Sequence, residues 1–88
     1  MSLFHRGPLR LLMFTFEAGG HLPEHRAPGY VVIQCVKGEL VVEAAGDRHH
    51  LRTGAAVVLD PNVPHDVHAM VESEMLLIVC LPDTPAEQ

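Results

Sequence analysis

The 88-residue sequence predicts an all-β fold in a single domain, with little or no helix. Three observations carry that expectation. Turn-forming residues recur every eight to twelve positions or so, the spacing of a sandwich or barrel of short strands. β-Branched valines come in short runs, as in Val31-Val32-Ile33 and Val57-Val58, which suit a pleated surface. No window carries an apolar stripe at the helical period of 3.6 residues.

The elements follow from the punctuation. Leu9 to Glu17 reads as a first strand, stopped by Ala18-Gly19-Gly20. His21 to Arg26 is a short extended piece containing a proline, and it leads to Pro28-Gly29. Tyr30 to Val36 is a strong strand, and Lys37-Gly38 is expected to turn the chain tightly into Glu39 to Ala44. Gly46-Asp47 turns it again before Arg48 to Leu51, and Thr53-Gly54 precedes Ala55 to Leu59. Asp60-Pro61-Asn62 forms the next turn, because proline fixes φ and asparagine tolerates the left-handed region. Pro64 to Met70 and Glu74 to Leu81 complete the set. The domain is expected to span residues 8–82, between a tail at 1–7 and a polar, frayed tail at 83–88.

Several strands are apolar on both faces. Val31, Ile33 and Cys35 alternate with Val32 and Val36; Met75, Leu77 and Val79 alternate with Leu76, Ile78 and Cys80. Such strands belong inside a closed sheet or at a subunit interface. A chain this short with 48% hydrophobic residues is expected to cover part of that surface with a second copy of itself. Six Lys and Arg without a cluster, in a chain of net charge −5, exclude a nucleic-acid stripe. No apolar stretch approaches the roughly 20 residues of a membrane-spanning helix. The first eight residues lack the pattern of a secretory leader, so a cytoplasmic location is expected. The two cysteines, Cys35 and Cys80, are too few for a disulfide scaffold and are expected as buried thiols.

Two segments carry the chemistry. The first runs Gly20-His21-Leu22-Pro23-Glu24-His25-Arg26-Ala27-Pro28-Gly29, then Val36-Lys37-Gly38-Glu39-Leu40. The second is Gly54 followed by Asp60-Pro61-Asn62-Val63-Pro64-His65. In order and spacing of glycines and histidines they resemble the two motifs of the cupin superfamily, over roughly residues 8 to 82. The resemblance implies a small stand-alone cupin: a double-stranded β-helix, or jelly-roll, barrel with its functional centre inside. In the family, a His-x-His pair, a carboxylate or amide and a distant His hold Fe, Mn, Ni, Cu or Zn. Here His25 matches the first ligand and His65 the last. Ala27 stands at the second, and Val31 or Val32 where the carboxylate or amide is expected. The first motif is therefore degenerate, and His25 with His65 form an incomplete metal-ligand set. Stable sites normally take three or four donors.

Other residues could extend the set. Cys35 shares strand parity with Val31 and would offer a thiolate, although a buried small hydrophobe is its simpler role. Gln34 has the opposite parity and would reach the centre only through a bulge near Pro28-Gly29. His21 lies four residues before His25, on the same side of a regular strand and about 13 Å away. His68 has the opposite parity to His65 and points outward. His49-His50 reads as a solvated pair, and Tyr30 as a residue of the pocket mouth, the core or an interface.

The expected pocket is lined by His25, His65, Ala27, Val31 and Cys35, and it binds a small molecule. The alternative is a metal-dependent cupin enzyme of dioxygenase, isomerase or decarboxylase type, using His25, His65 and one extra donor. No catalytic residue, and no substrate, is written in the sequence.

Overall fold

A computed structural model describes residues 2–81. Among them the chain forms nine strands and no helix, in two antiparallel sheets. The strands are β1 (Ser2–Arg6), β2 (Leu9–Phe16), β3 (His21–His25), β4 (Tyr30–Lys37), β5 (Glu39–Ala44), β6 (Asp47–Arg52), β7 (Ala56–Leu59), β8 (His65–Ala69) and β9 (Ser73–Cys80). One sheet has the order β1-β2-β9-β4-β7 and the other β3-β8-β5-β6. Every boundary lies within two residues of the expected one, except at the start. Residues 2–6, expected as a tail, add strand β1 to the edge of the five-stranded sheet by pairing with β2. The expected C-terminal tail lies outside the described residues.

The period-two alternation decides what is buried. Val31, Ile33 and Cys35 of β4 face inward, as do Met75 and Leu77 of β9. Leu40, Val42 and Ala44 of β5 meet them from the other sheet, with Val67 and Ala69 of β8 and Leu51 of β6. These side chains form one aliphatic layer with Phe16 and Leu59. A sheet whose inner face is apolar gains roughly 25 cal/mol for each Å² of apolar surface withdrawn from water, and the shared layer is what holds the sheets together.

Lys37-Gly38 does not close a hairpin. β4 pairs with β7 and β9, whereas β5 pairs with β6 and β8, so Gly38 is the corner at which the chain crosses between sheets. Its φ is +98°, and a Cβ there would lie 2.3 Å from Ser73 Oγ and 2.6 Å from the Glu72 carbonyl oxygen. Buried Ser73 clasps this corner. Its Oγ accepts from the Glu39 amide at 3.0 Å and donates to the Val71 carbonyl at 2.7 Å. Asn62 adopts φ +65°, in keeping with its position in the expected turn.

The two cysteines differ from each other, contrary to the expectation of two buried thiols. Cys35 is fully buried in the inner layer, and Cys80 is exposed at the end of β9. Parity explains it, since Cys80 falls on the outward face of its strand. Burial pushes the Cys35 thiol above its ordinary pKa of 9.0; the Glu39 charge adds to this, and backbone hydrogen bonds at Lys37 and Leu40 partly oppose it.

Two measurements check these readings. Gly38→Ala combines a left-handed backbone with overpacking against Ser73, at about 2–4 kcal/mol. The melting temperature should fall by more than about 10 °C, and an unchanged melt would refute the corner. Alkylation of the folded protein by iodoacetamide should modify Cys80 alone, with Cys35 reacting only after unfolding. Equal rates at both thiols would contradict the burial described for Cys35. The raised Cys35 pKa also has a sign. Its stabilising contribution is complete below the ordinary thiol range and is lost as pH rises through the folded value.

Candidate functional site

The four-stranded sheet places histidines on both of its faces. β3 runs antiparallel to β8, with His21 opposite His68, Leu22 opposite Val67 and His25 opposite His65. Two residues lie between Leu22 and His25, but only one lies between His65 and Val67. The extra residue is a bulge at Pro23-Glu24. Proline cannot donate to the ladder, which makes this a natural place for the irregularity. Its effect is to return His25 to the face that carries Leu22 and Val67. His21, expected on the same side as His25, instead lies on the outer face against His68, because the bulge breaks the alternation between them.

His25 and His65 therefore meet, with ring centroids 4.3 Å apart and planes inclined by 62°. His65 is only 2% exposed, while His25 is open to solvent. Each ring is oriented by its own backbone: His25 Nδ1–H donates to the Pro23 carbonyl at 3.0 Å, and His65 Nδ1–H to the Val63 carbonyl at 2.9 Å. A carbonyl can only accept, so Nδ1 carries the hydrogen in both. In the neutral imidazole this leaves a lone pair on each Nε2. The Nε2 of His65 is buried without a hydrogen-bond partner. Such an orphan is costly to leave unpaired, by about 1–3 kcal/mol, and is the atom most in need of a ligand.

The other expected pocket residues take different places. Ala27 packs against the core, and its carbonyl accepts from the Asn62 amide at 2.8 Å, which ties it to the turn that leads to His65. Val31 pairs with Leu59 and Val79 at the start of β4. Cys35 lies four residues further along β4, about 13 Å away on an extended strand. There it exchanges backbone hydrogen bonds with Gly54 and Ala55. Gln34 stays on the outer face, where its amide donates to the Gly54 carbonyl at 3.3 Å. Tyr30 is 54% exposed on that same outer face. His50 pairs with Glu39 across the hairpin, and His49 is half-buried opposite Val42.

The donor set inside the barrel does not fit a resident metal. Among the described residues, a single group of three His, Cys, Asp or Glu side chains has its ligand atoms at metal spacing, and neither His25 nor His65 belongs to it. That group is His21, Asp66 and His68, with ligand atoms all within 4.8 Å of one another. A cleft of about 450 Å³ opens at the end of the same sheet. It is lined by Glu24, Glu43, Ala44, Arg48, Pro64 and Asp66 among others. Glu24 and Pro64 immediately precede His25 and His65 in the chain. The Arg48 guanidinium donates to the Glu43 carboxylate at 2.7 Å on the cleft wall.

Sequence reasoning found the inner pair and missed the outer group. The missing signal was the bulge, which pattern alone does not reveal. Asp66-x-His68 on one strand face was nevertheless a visible i, i+2 pair of ligand types.

Comparison with known proteins agrees with the fold. Among solved structures, a conserved protein of unknown function from Streptococcus pyogenes superposes with a TM-score of 0.88 at 23% identity, covering 94% of this chain and 73% of that one. An RmlC-like cupin protein from Desulfovibrio desulfuricans gives 0.82 at 26% identity, covering 90% and 77%. KdgF from a Halomonas species gives 0.79 at 22%, covering 94% and 78%. No curated protein matches the chain. The family model described as "Cupin domain" matches residues 12–81, the span that contains both histidine motifs, and the chain belongs to that family.

Proposed function

We propose that this cupin binds a small molecule between His25 and His65, and that the molecule offers a hydrogen-bond donor, such as a hydroxyl or ammonium group, to the two Nε2 lone pairs. The observation that carries this reading is the buried, unpartnered Nε2 of His65, on a ring packed against a second imidazole of the same tautomer. Ala27 and Val31 would supply the apolar side of the pocket, with Cys35 further along the same inner layer. The metal-dependent alternative with His25 and His65 requires a third donor, and the described residues bring none to that pair. Binding rather than metal-centred catalysis is therefore the better-supported reading.

The test is ligand-observed NMR against a panel of small alcohols, polyols and amines, with ¹⁵N-histidine correlations on the protein. Both rings should show Nδ1-protonated tautomers, and a bound molecule should move both Nε2 signals. His25→Ala and His65→Gln should each weaken binding about tenfold or more, the size of one lost hydrogen bond at 1–3 kcal/mol. Binding indifferent to both substitutions would sink the reading.

We further propose that the protein acts as a homodimer through the outer face of the five-stranded sheet. Leu11, Ile78, Val32 and Val58 form a continuous row across β2, β9, β4 and β7, with Met13 and Leu76 beside it. Val58 is 63% exposed in the single chain. An apolar row of this kind is what a self-complementary interface covers. Light scattering should give twice the chain mass, and Ile78→Lys should halve it. A monomeric wild type at micromolar concentration would exclude the dimer.

A further inference from the structure

The outer face of the four-stranded sheet carries a second constellation that the barrel interior does not use. His21 of β3 stands directly opposite His68 of β8, and their rings stack with centroids 4.2 Å apart and planes within 13°. Asp66 lies two residues before His68, on the same strand face, with its Oδ2 3.9 Å from His68 Nε2. That is beyond a hydrogen bond, so the two groups face each other without satisfying each other. Asp66 Oδ1 is shut away from solvent and also lacks a hydrogen-bond partner. A buried carboxylate oxygen left bare beside two imidazoles is an unfavourable arrangement for the protein alone.

We propose that His21, Asp66 and His68 form a divalent-cation site of the zinc type on this outer face, separate from the His25–His65 pair. Imidazole nitrogen and carboxylate oxygen are the donors that zinc takes. Two strands supply them in fixed register: the cross-strand pair sets the two imidazoles side by side, and the i, i+2 relation brings the carboxylate to the same face. Tetrahedral bonds of about 2.05 Å place ligand atoms about 3.3 Å apart. The present limit of 4.8 Å must therefore close by up to about 1.5 Å, which small side-chain rotations at half-exposed residues supply. Binding would also compensate the charge of an Asp66 carboxylate whose Oδ1 has no hydrogen-bond partner.

The surroundings favour a cation. Glu24 and Glu43 line the 450 Å³ cleft together with Asp66, and Arg48 there is already engaged by Glu43. Three protein ligands leave at least one coordination position for water or a small anion. Asp66 as a cleft wall puts that position beside open space.

The experiment is titration of Zn²⁺ into chelator-treated protein purified without an immobilised metal, by calorimetry and by thermal shift. One equivalent should bind and raise the melting temperature. His21→Ala, His68→Ala and Asp66→Asn should each lower the affinity at least ~10-fold and abolish the thermal shift. His25→Ala and His50→Ala should leave both unchanged. Because Asp66→Asn touches a half-buried residue, ¹⁵N-histidine spectra of the wild type supply a second readout: Zn²⁺ should move the ring nitrogens of His21 and His68 and spare His65. The proposal fails if the wild type binds no zinc. It also fails if His25→Ala removes binding while the outer variants keep it, or if the shifted rings are those of His25 and His65. Neither failure bears on small-molecule binding at the inner pair, which the NMR panel tests by itself.

Discussion

One aliphatic layer shared by two sheets governs everything else in this molecule. Once Leu40, Val42, Val67, Ile33, Cys35 and Met75 are committed to that layer, each of their strands has one face turned to it and one turned away. The chemistry of every histidine is then decided by the face on which it falls. His65, two residues before Val67, has to be dry. His68, next to Val67, has to be turned outward. The same amino acid thus becomes a desolvated imidazole in one place and a half-exposed one in the other, with no change in its intrinsic properties.

The alternation is interrupted at the point that brings the two inner rings together. Without the bulge at Pro23-Glu24, His25 would share the face of His21, and the inner imidazole of β8 would have an aliphatic or acidic neighbour instead of a second ring. Pre-orientation of both rings through Nδ1 and a backbone carbonyl two residues upstream completes the arrangement. Each ring then holds its tautomer without borrowing a carboxylate from elsewhere in the fold. This differs from catalytic histidines that depend on a buried acid for orientation, and it fits a pocket that receives a donor better than one that moves protons.

Much of this was legible in the sequence. Val31, Ile33 and Cys35 share one face by their i, i+2 spacing, as do Met75 and Leu77, and no helical period competes; which face is inward is decided by the packing of the two sheets. The glycines and histidines of the two motifs fixed the family, and with it the meeting of residues forty positions apart. What stayed hidden depends on pairing, which a single strand does not encode. Lys37-Gly38 has the composition of a hairpin, yet the partners of β4 and β5 lie in different sheets, so the glycine marks a crossing. Residues 2–6 carry no strong strand pattern and become β1 only because β2 offers them an open edge. His21 lies on the side opposite to the expected one because a one-residue slip is invisible until the register is known.

That slip has an evolutionary reading. In-frame deletion of either codon, Pro23 or Glu24, would remove the bulge and leave the following imidazole two residues after Leu22, on the lumen face it already occupies, whereas substitutions that let both residues join the ladder would rotate it to the exterior. A lineage could thereby shed the extra residue and keep the internal pair of rings, with the hydrophobic interior untouched. The identity of residues 23 and 24, which decides whether the strand bulges, is thus a more informative marker of divergence among relatives than a one-residue difference in length at this point.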